Sequence, residues 1–197
     1  TSPAYTLRLN YNGVPGLRVG ASFYYCANTT ANSDKLVEYS FRAPLRIYTV
    51  DAQYKNSVVT ARANFMWGSL TNSDRVSSVN TKLSNQSPYT RVVPVAHKAV
   101  SYGAEVGLNL AGIFRGANVP AIYPFARYDY YNPQKQCEGL YIEDHRCEVS
   151  KWTAGVNWYA LPNLVIKADY STRQIGTSKM FGKGKYNSEN EFSIGVA

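Results

Sequence analysis

Apolar and polar residues alternate with a period of two along most of this chain. In 57–69, Val59, Ala61, Ala63, Phe65 and Trp67 fall on one side and Thr60, Arg62, Asn64 and Gly68 on the other. In 99–113, Val100, Tyr102, Ala104, Val106, Leu108 and Leu110 oppose Ser101, Gly103, Glu105, Gly107 and Asn109. In 163–174, Leu164, Ile166, Ala168 and Tyr170 oppose Lys167, Asp169, Ser171 and Arg173. Successive strand side chains point to opposite faces, so this pattern predicts strands with one apolar and one polar face. Nine are expected, over 4–12, 17–28, 44–55, 57–69, 99–113, 121–132, 149–160, 163–174 and 187–197. Residues 71–98 have room for one helical turn, limited by Pro88 and Pro94.

The connections alternate between short and long. Gly13–Gly16, Lys55-Asn56, 115–120 and Pro162-Asn163 are short, whereas 29–43, 70–98, 133–148 and 175–186 are long. Up-and-down barrels of outer membranes follow this rule, with tight turns on the periplasmic side and long loops outside. The strands also exceed the usual length of about five or six residues. Aromatics cluster at both strand ends: Tyr5, Tyr25, Trp67, Tyr128 and Trp152 toward the long loops, Tyr11, Tyr54 and Trp158 toward the short turns. Two such bands suit the two interfaces of a bilayer. The competing reading is a soluble antiparallel sandwich with one wet face. Irregular turn spacing argues against a propeller repeat.

Composition narrows this further. The 197 residues are 45% hydrophobic and 17% charged, with 17 tyrosines, as a folded rather than disordered chain requires. No uncharged apolar run is long enough for a transmembrane helix, but barrel strands leave no such signature. The net charge of +8 is dilute, without the basic runs of a nucleic-acid tail. Thr1-Ser2-Pro3-Ala4 lacks signal-peptide character. With the long loops outside, the first strand starts on the extracellular side, and 191–197 stops in mid-alternation. The chain is therefore expected to be the C-terminal portion of a larger barrel, a single β-barrel portion over 1–197.

One hairpin carries a resemblance. The stretch from Trp152 through Asn157-Trp158-Tyr159, the Pro162-Asn163 turn and Leu164-Val165-Ile166-Lys167-Ala168-Asp169-Tyr170 resembles the late hairpin of the phosphate-selective porin O and P family. Leu17–Tyr25, Ala121–Tyr128 and Asn187–Ser193 look like its Bacteroidetes-type members. The resemblance implies an antiparallel, up-and-down transmembrane barrel of sixteen strands in the outer membrane of a Gram-negative cell, typically a homotrimer. Its partners would be the lipid bilayer, lipopolysaccharide and small anionic solutes, without nucleic acid. Phosphate specificity would rest on Arg and Lys arrays that this hairpin does not carry.

The polar face supplies candidate pore-lining residues. Arg8, Arg18, Lys55, Arg62, Arg127, Lys151, Lys167 and Arg173 stand against Asp51, Glu105, Asp129, Asp169 and Glu191, a net of +3 that favours anions. Equally, these residues can pair across strands and neutralise one another. The longest loop carries Arg75, Lys82, Arg91 and Lys98 against Asp74 and is either a constriction that folds inward or a solvated surface loop.

Cys137 and Cys147 lie ten residues apart in one outer loop, where a disulfide is expected, and Cys26 serves as a small wall residue. Adding His145 to that pair gives three metal ligands without a fourth, so no metal is assigned. Asp144-His145 has no activated serine beside it, and His97 lies in another loop, so no catalysis and no cofactor are expected. Gly182-Lys183-Gly184-Lys185 lacks phosphate-loop spacing and is expected to be a mobile tip. The expected function is passive conduction of small hydrophilic solutes, with anion preference. The alternative is a non-transporting barrel that acts as a surface binding or scaffold subunit.

Overall fold

The computed structural model describes residues 1–34, 36–84, 94–114, 120–161, 163–177 and 186–197. Nine strands form one antiparallel sheet: β1 (Ala4–Tyr11), β2 (Leu17–Cys26), β3 (Leu45–Lys55), β4 (Val59–Leu70), β5 (Lys98–Leu108), β6 (Ala121–Gln136), β7 (Val149–Leu161), β8 (Leu164–Gly176) and β9 (Tyr186–Val196). Their order in the sheet is their order in the chain.

Every strand sits where the alternation placed it, and the differences fall at the ends. The fifth stops at Leu108, and Leu110–Ile113 forms a short helix, α2, instead of continuing the strand. Asn109 closes that turn, accepting from the N–H groups of Gly112 and Ile113 with its carbonyl. The larger correction is in the longest loop, where Ser73–Ser84 forms a helix, α1, of 12 residues rather than one turn. Both prolines expected to limit it lie downstream. Asp74 in its first turn and Lys82 in its last also suit the helix dipole.

Register fixes the two faces. Arg62 on β4 opposes Glu105 on β5, which opposes Arg127 on β6, then Thr153 on β7, Ser171 on β8 and Glu191 on β9. Residues two apart from these share the polar face, and the intervening ones form the apolar face. The apolar face is open, with Leu7 59%, Leu9 66% and Trp152 58% exposed. Among the described residues, buried hydrophobics number six, and four of them, Ala43, Val76, Val79 and Cys137, lie outside the sheet. A soluble sandwich would hide its apolar face under a second sheet at about 10 Å. Among the described residues there is no second sheet.

Aromatics run along the open face in two contacting series. Tyr25, Phe23, Tyr48 and Trp67 cross β2 to β4 with ring centroids 4.8 to 6.4 Å apart. Tyr130, Tyr102, Tyr128 and Trp152 cross β5 to β7 at 4.6 to 6.2 Å. Packing across neighbouring strands fixes these rings in a band rather than scattering them.

The short turns are tied to one another. Gly16 has φ +80°, and a Cβ there would strike the Lys55 carbonyl, so the position needs glycine. Its own carbonyl accepts the Lys55 N–H at 2.8 Å, joining the first short turn to the next. At the opposite end the long connections form a compact cap. Asn72, at φ 58°, donates its side-chain amide to the Arg42 carbonyl at 2.7 Å. Ser77 Oγ accepts the Val95 N–H at 2.8 Å, and Gln134 Nε2 donates to the Pro94 carbonyl at 2.6 Å. Buried Ser73, Val76, Ser77 and Val79 of α1, with Asn132, Gln134 and Cys137, make this cap the most densely packed part of the described molecule.

Candidate functional site

The polar face is organised as a belt of charge. The basic residues picked out by the alternation, Arg8, Arg18, Lys55, Arg62, Arg127, Lys151, Lys167 and Arg173, all have the polar-face register. So do Asp51, Glu105, Asp129, Asp169 and Glu191. Glu189, opposite Arg173, also belongs to this face; its place two residues before Glu191 on the same strand is the signal that would have found it. The balance is therefore eight basic against six acidic residues, a net of +2 rather than +3.

Five ion pairs span the belt. Arg8 Nη2 lies 2.8 Å from Asp51 Oδ1, and Arg62 Nη2 lies 2.5 Å from Glu105 Oε1. Arg127 Nε lies 2.6 Å from Asp129 Oδ2, Lys151 Nζ 3.8 Å from Glu191 Oε2, and Arg173 Nη2 2.6 Å from Glu189 Oε2. All are partly solvated, so each adds little stability. Among the described residues, Arg18, Lys55 and Lys167 make no ion pair. Arg18, Arg62 and Arg127 line a groove of about 350 Å³ together with Asp51, Glu105 and Asp129.

Glycines make the belt possible. A Cβ on Gly20 would collide with the Arg8 guanidinium and come within 2.9 Å of both Asp51 carboxylate oxygens. A Cβ on Gly103 would lie 2.8 Å from Asp129 Oδ1. The mixture of glycine and charge on one face, visible in the sequence, is thus a spatial requirement: the bare backbone is where the long side chains lie down.

The expected constriction residues separate. Arg75 and Lys82, seven residues apart, share a side of α1 and are both exposed, whereas Val76 and Val79 are buried. Lys98 begins β5 on the apolar-face register, opposite Ser69, away from the belt. Arg91 lies outside the described residues, as does Gly182-Lys183-Gly184-Lys185. The returning part of the loop nevertheless leans over the polar face: Val95 and Ala96 share an apolar cavity of about 440 Å³ with Leu45, Ile47, Met66 and Tyr131.

The disulfide between Cys137 and Cys147 is not formed, and all three cysteines are free thiols. The end of β6 follows β5, where Gln136 opposes Lys98, and carries Cys137 toward α1. Cys147 belongs to a single 3₁₀ turn, His145–Cys147, that returns beside β8, where Gly176 donates to the Glu148 carbonyl at 2.9 Å. Burial pushes the Cys137 thiol up, with the charge of Glu143 adding to it. Cys147 is raised by burial and by Asp144, against an opposing effect of Arg146. Asp144 is engaged by Arg146 Nη2 at 2.5 Å rather than by His145. His145 Nδ1 lies 3.8 Å from Glu148, and His97 Nδ1 lies 2.9 Å from the Leu70 carbonyl and 3.6 Å from Glu138. The two histidines serve different loops of the cap.

The hairpin of β7 and β8, which carries Asn157-Trp158-Tyr159, joins Lys151 to Arg173 and Asn157 to Lys167 in register. Residues 121–188 match the family Phosphate-selective porin O and P. The matching segment covers β6 to β8 and the start of β9, about a third of the chain. It contains Arg127, Lys151, Lys167 and Arg173 of the belt, whereas Arg8, Arg18 and Arg62 precede it. No curated protein matches the chain. Among solved structures, it is similar to the TodX monoaromatic hydrocarbon channel deltaS2 mutant, at 13% identity and a TM-score of 0.39. That alignment covers all of this chain and 63% of the channel, so the chain spans less than two thirds of the structure it matches.

Proposed function

We propose that the chain forms part of an outer-membrane porin that passively conducts small hydrophilic solutes, with a mild preference for anions. The observation that carries this reading is the pairing of an exposed apolar face, banded by aromatics, with an opposite face bearing a charged belt from β1 to β9. Lipid covers the first face and water wets the second, which lines the pore. The porin O and P match over residues 121–188 supports the same class.

The anion preference rests on Arg18, Lys55 and Lys167, since the other basic residues of the belt are engaged by carboxylates. Such a wall attracts anions weakly and lets them leave, as conduction requires. Phosphate is the anion the family name suggests, and the bilayer, lipopolysaccharide and two further copies of the protein are the proposed partners. The test is single-channel current of the purified full-length protein in planar bilayers under a salt gradient. Steady conductance with an anion-selective reversal potential is expected, and partial block by phosphate identifies the solute. Well-folded protein that passes no current overturns the reading.

That failure would favour a non-transporting surface scaffold. One observation suits such a role: Val95 and Ala96 lean over the polar face at its outer end.

A further inference from the structure

Below the charged belt, toward the short turns, the polar face changes character. A cavity of about 680 Å³ there is bordered on the belt side by the Arg62–Glu105 pair and lined below it by Tyr123, Phe125 and Tyr159 together with Thr60, Asn109 and Asn157. Aromatics are unexpected on this face, since the rings that suit a bilayer interface all lie on the other one. Their arrangement is specific. The Phe125 ring lies over Gly155, where a Cβ would come within 2.8 Å of its Cε1. Tyr123 and Tyr159 meet edge to face, centroids 5.1 Å apart at 71°, and Tyr159 is 45% exposed.

Amide and hydroxyl groups surround these rings. Asn109 donates its Nδ2 to the Ser57 carbonyl at 3.0 Å, while its Oδ1 is buried without a hydrogen-bond partner among the described residues. Lys55, which also borders the cavity, makes no ion pair among the described residues.

We infer that this cavity is a saccharide subsite on the channel wall. A pyranose ring has one face of C–H bonds, which packs against the electron-rich face of an aromatic ring, and a rim of hydroxyls that both donate and accept. Phe125 and Tyr159 offer the first surface, and Asn109, Asn157, Thr60 and Lys55 answer the second. An inorganic anion would need only Lys55 and Arg62 at the border of the cavity and have no use for the rings. The cavity size falls in the range of small-molecule sites, about 300–1,000 Å³. The inference rests on the porin reading for its biological use but not for its test.

The purified full-length protein in detergent is titrated with glucose and with maltotriose, and binding is followed by saturation-transfer NMR on the sugar protons. Saturation is expected on the C–H protons, stronger for maltotriose. Phe125→Leu and Tyr159→Leu, each confirmed as folded by its β-sheet circular dichroism, are expected to weaken binding about tenfold. Asp51→Asn, in the belt, should leave sugar binding unchanged. No saturation transfer, or transfer equal in wild type and both leucine variants, overturns the subsite. The same sugars added in planar bilayers should shorten open times. A protein that conducts salt but binds neither sugar loses the subsite and keeps the porin reading, whereas one that binds sugar and passes no current loses the porin reading alone.

Discussion

Arg8 on β1 reaches Asp51 on β3 across the full width of β2, with its Nη2 2.8 Å from the carboxylate and its path lying over Gly20. A strand side chain normally meets its direct cross-strand partner, so this contact skips one. Removing the carboxylate frees a cation on the polar face without emptying a packed site. Asp51→Asn is expected to shift the reversal potential toward stronger anion selectivity, with stability changed by less than about 1 kcal/mol. An unchanged reversal potential would show that the belt does not sense the permeating ion.

Gly20→Ala and Gly155→Ala should part company. At Gly20 the added methyl meets the mobile ends of Arg8 and Asp51, which can swing aside. At Gly155 it lies 2.7 Å from the Ala168 carbonyl and 2.6 Å from the Asp169 Cβ, neither of which can. The Gly155 variant is expected to lose about 1–3 kcal/mol and the Gly20 variant well under 1. Urea unfolding in detergent, followed by tryptophan emission, compares them, and equal midpoints would contradict the geometry.

The alternation of the chain disclosed the nine strands and the two faces, because a period of two leaves no freedom in which residues share a side. It assigned Arg8, Arg62 and Arg173 to one face, and the register puts them on one side of the sheet. What it left open was pairing, since Arg8 to Asp51 depends on register across three strands, and register is set by turn length and packing rather than by hydropathy. The helix at Ser73–Ser84 was hidden for a different reason. Its buried side is Ser73, Val76, Ser77 and Val79, too polar to mark a helical stripe, and it is held by distant residues in the sequence such as Glu138.

Glu138 Oε2 accepts the Ser73 N–H at 2.8 Å, supplying from 65 residues away the cap that a helix N-terminus lacks. Glu138→Ala is expected to expose the first turn of α1, raising amide exchange at Ser73 by about five- to thirtyfold for a loss of about 1–2 kcal/mol. Hydrogen exchange with mass spectrometry over 70–84 reads this directly. Protection unchanged from wild type would mean that the cap is held elsewhere.

The raised thiol of Cys147 makes a signed prediction. A free cysteine ionises at about 8.5, and a folded-state value above that keeps Cys147 protonated and unreactive at neutral pH. Alkylation by iodoacetamide in the folded protein should lag behind a model thiol near neutrality and gain on it as pH rises through the thiol's own range. By linkage, the stability this thiol contributes is complete below the unfolded value and is lost as pH rises through the folded one. A labelling rate equal to that of the model thiol at neutral pH would refute this environment.

Among the described residues each strand pairs only with its sequence neighbours, so every connection joins two strands that lie side by side. Closing a longer outer connection then costs little, about 0.6 kcal/mol for each doubling of its length. The cap can therefore be rebuilt by insertion and deletion while the wall keeps its register. If the proposed porin reading holds, evolution, or an engineer, can change what the molecule presents to the outside world without renegotiating what passes through it.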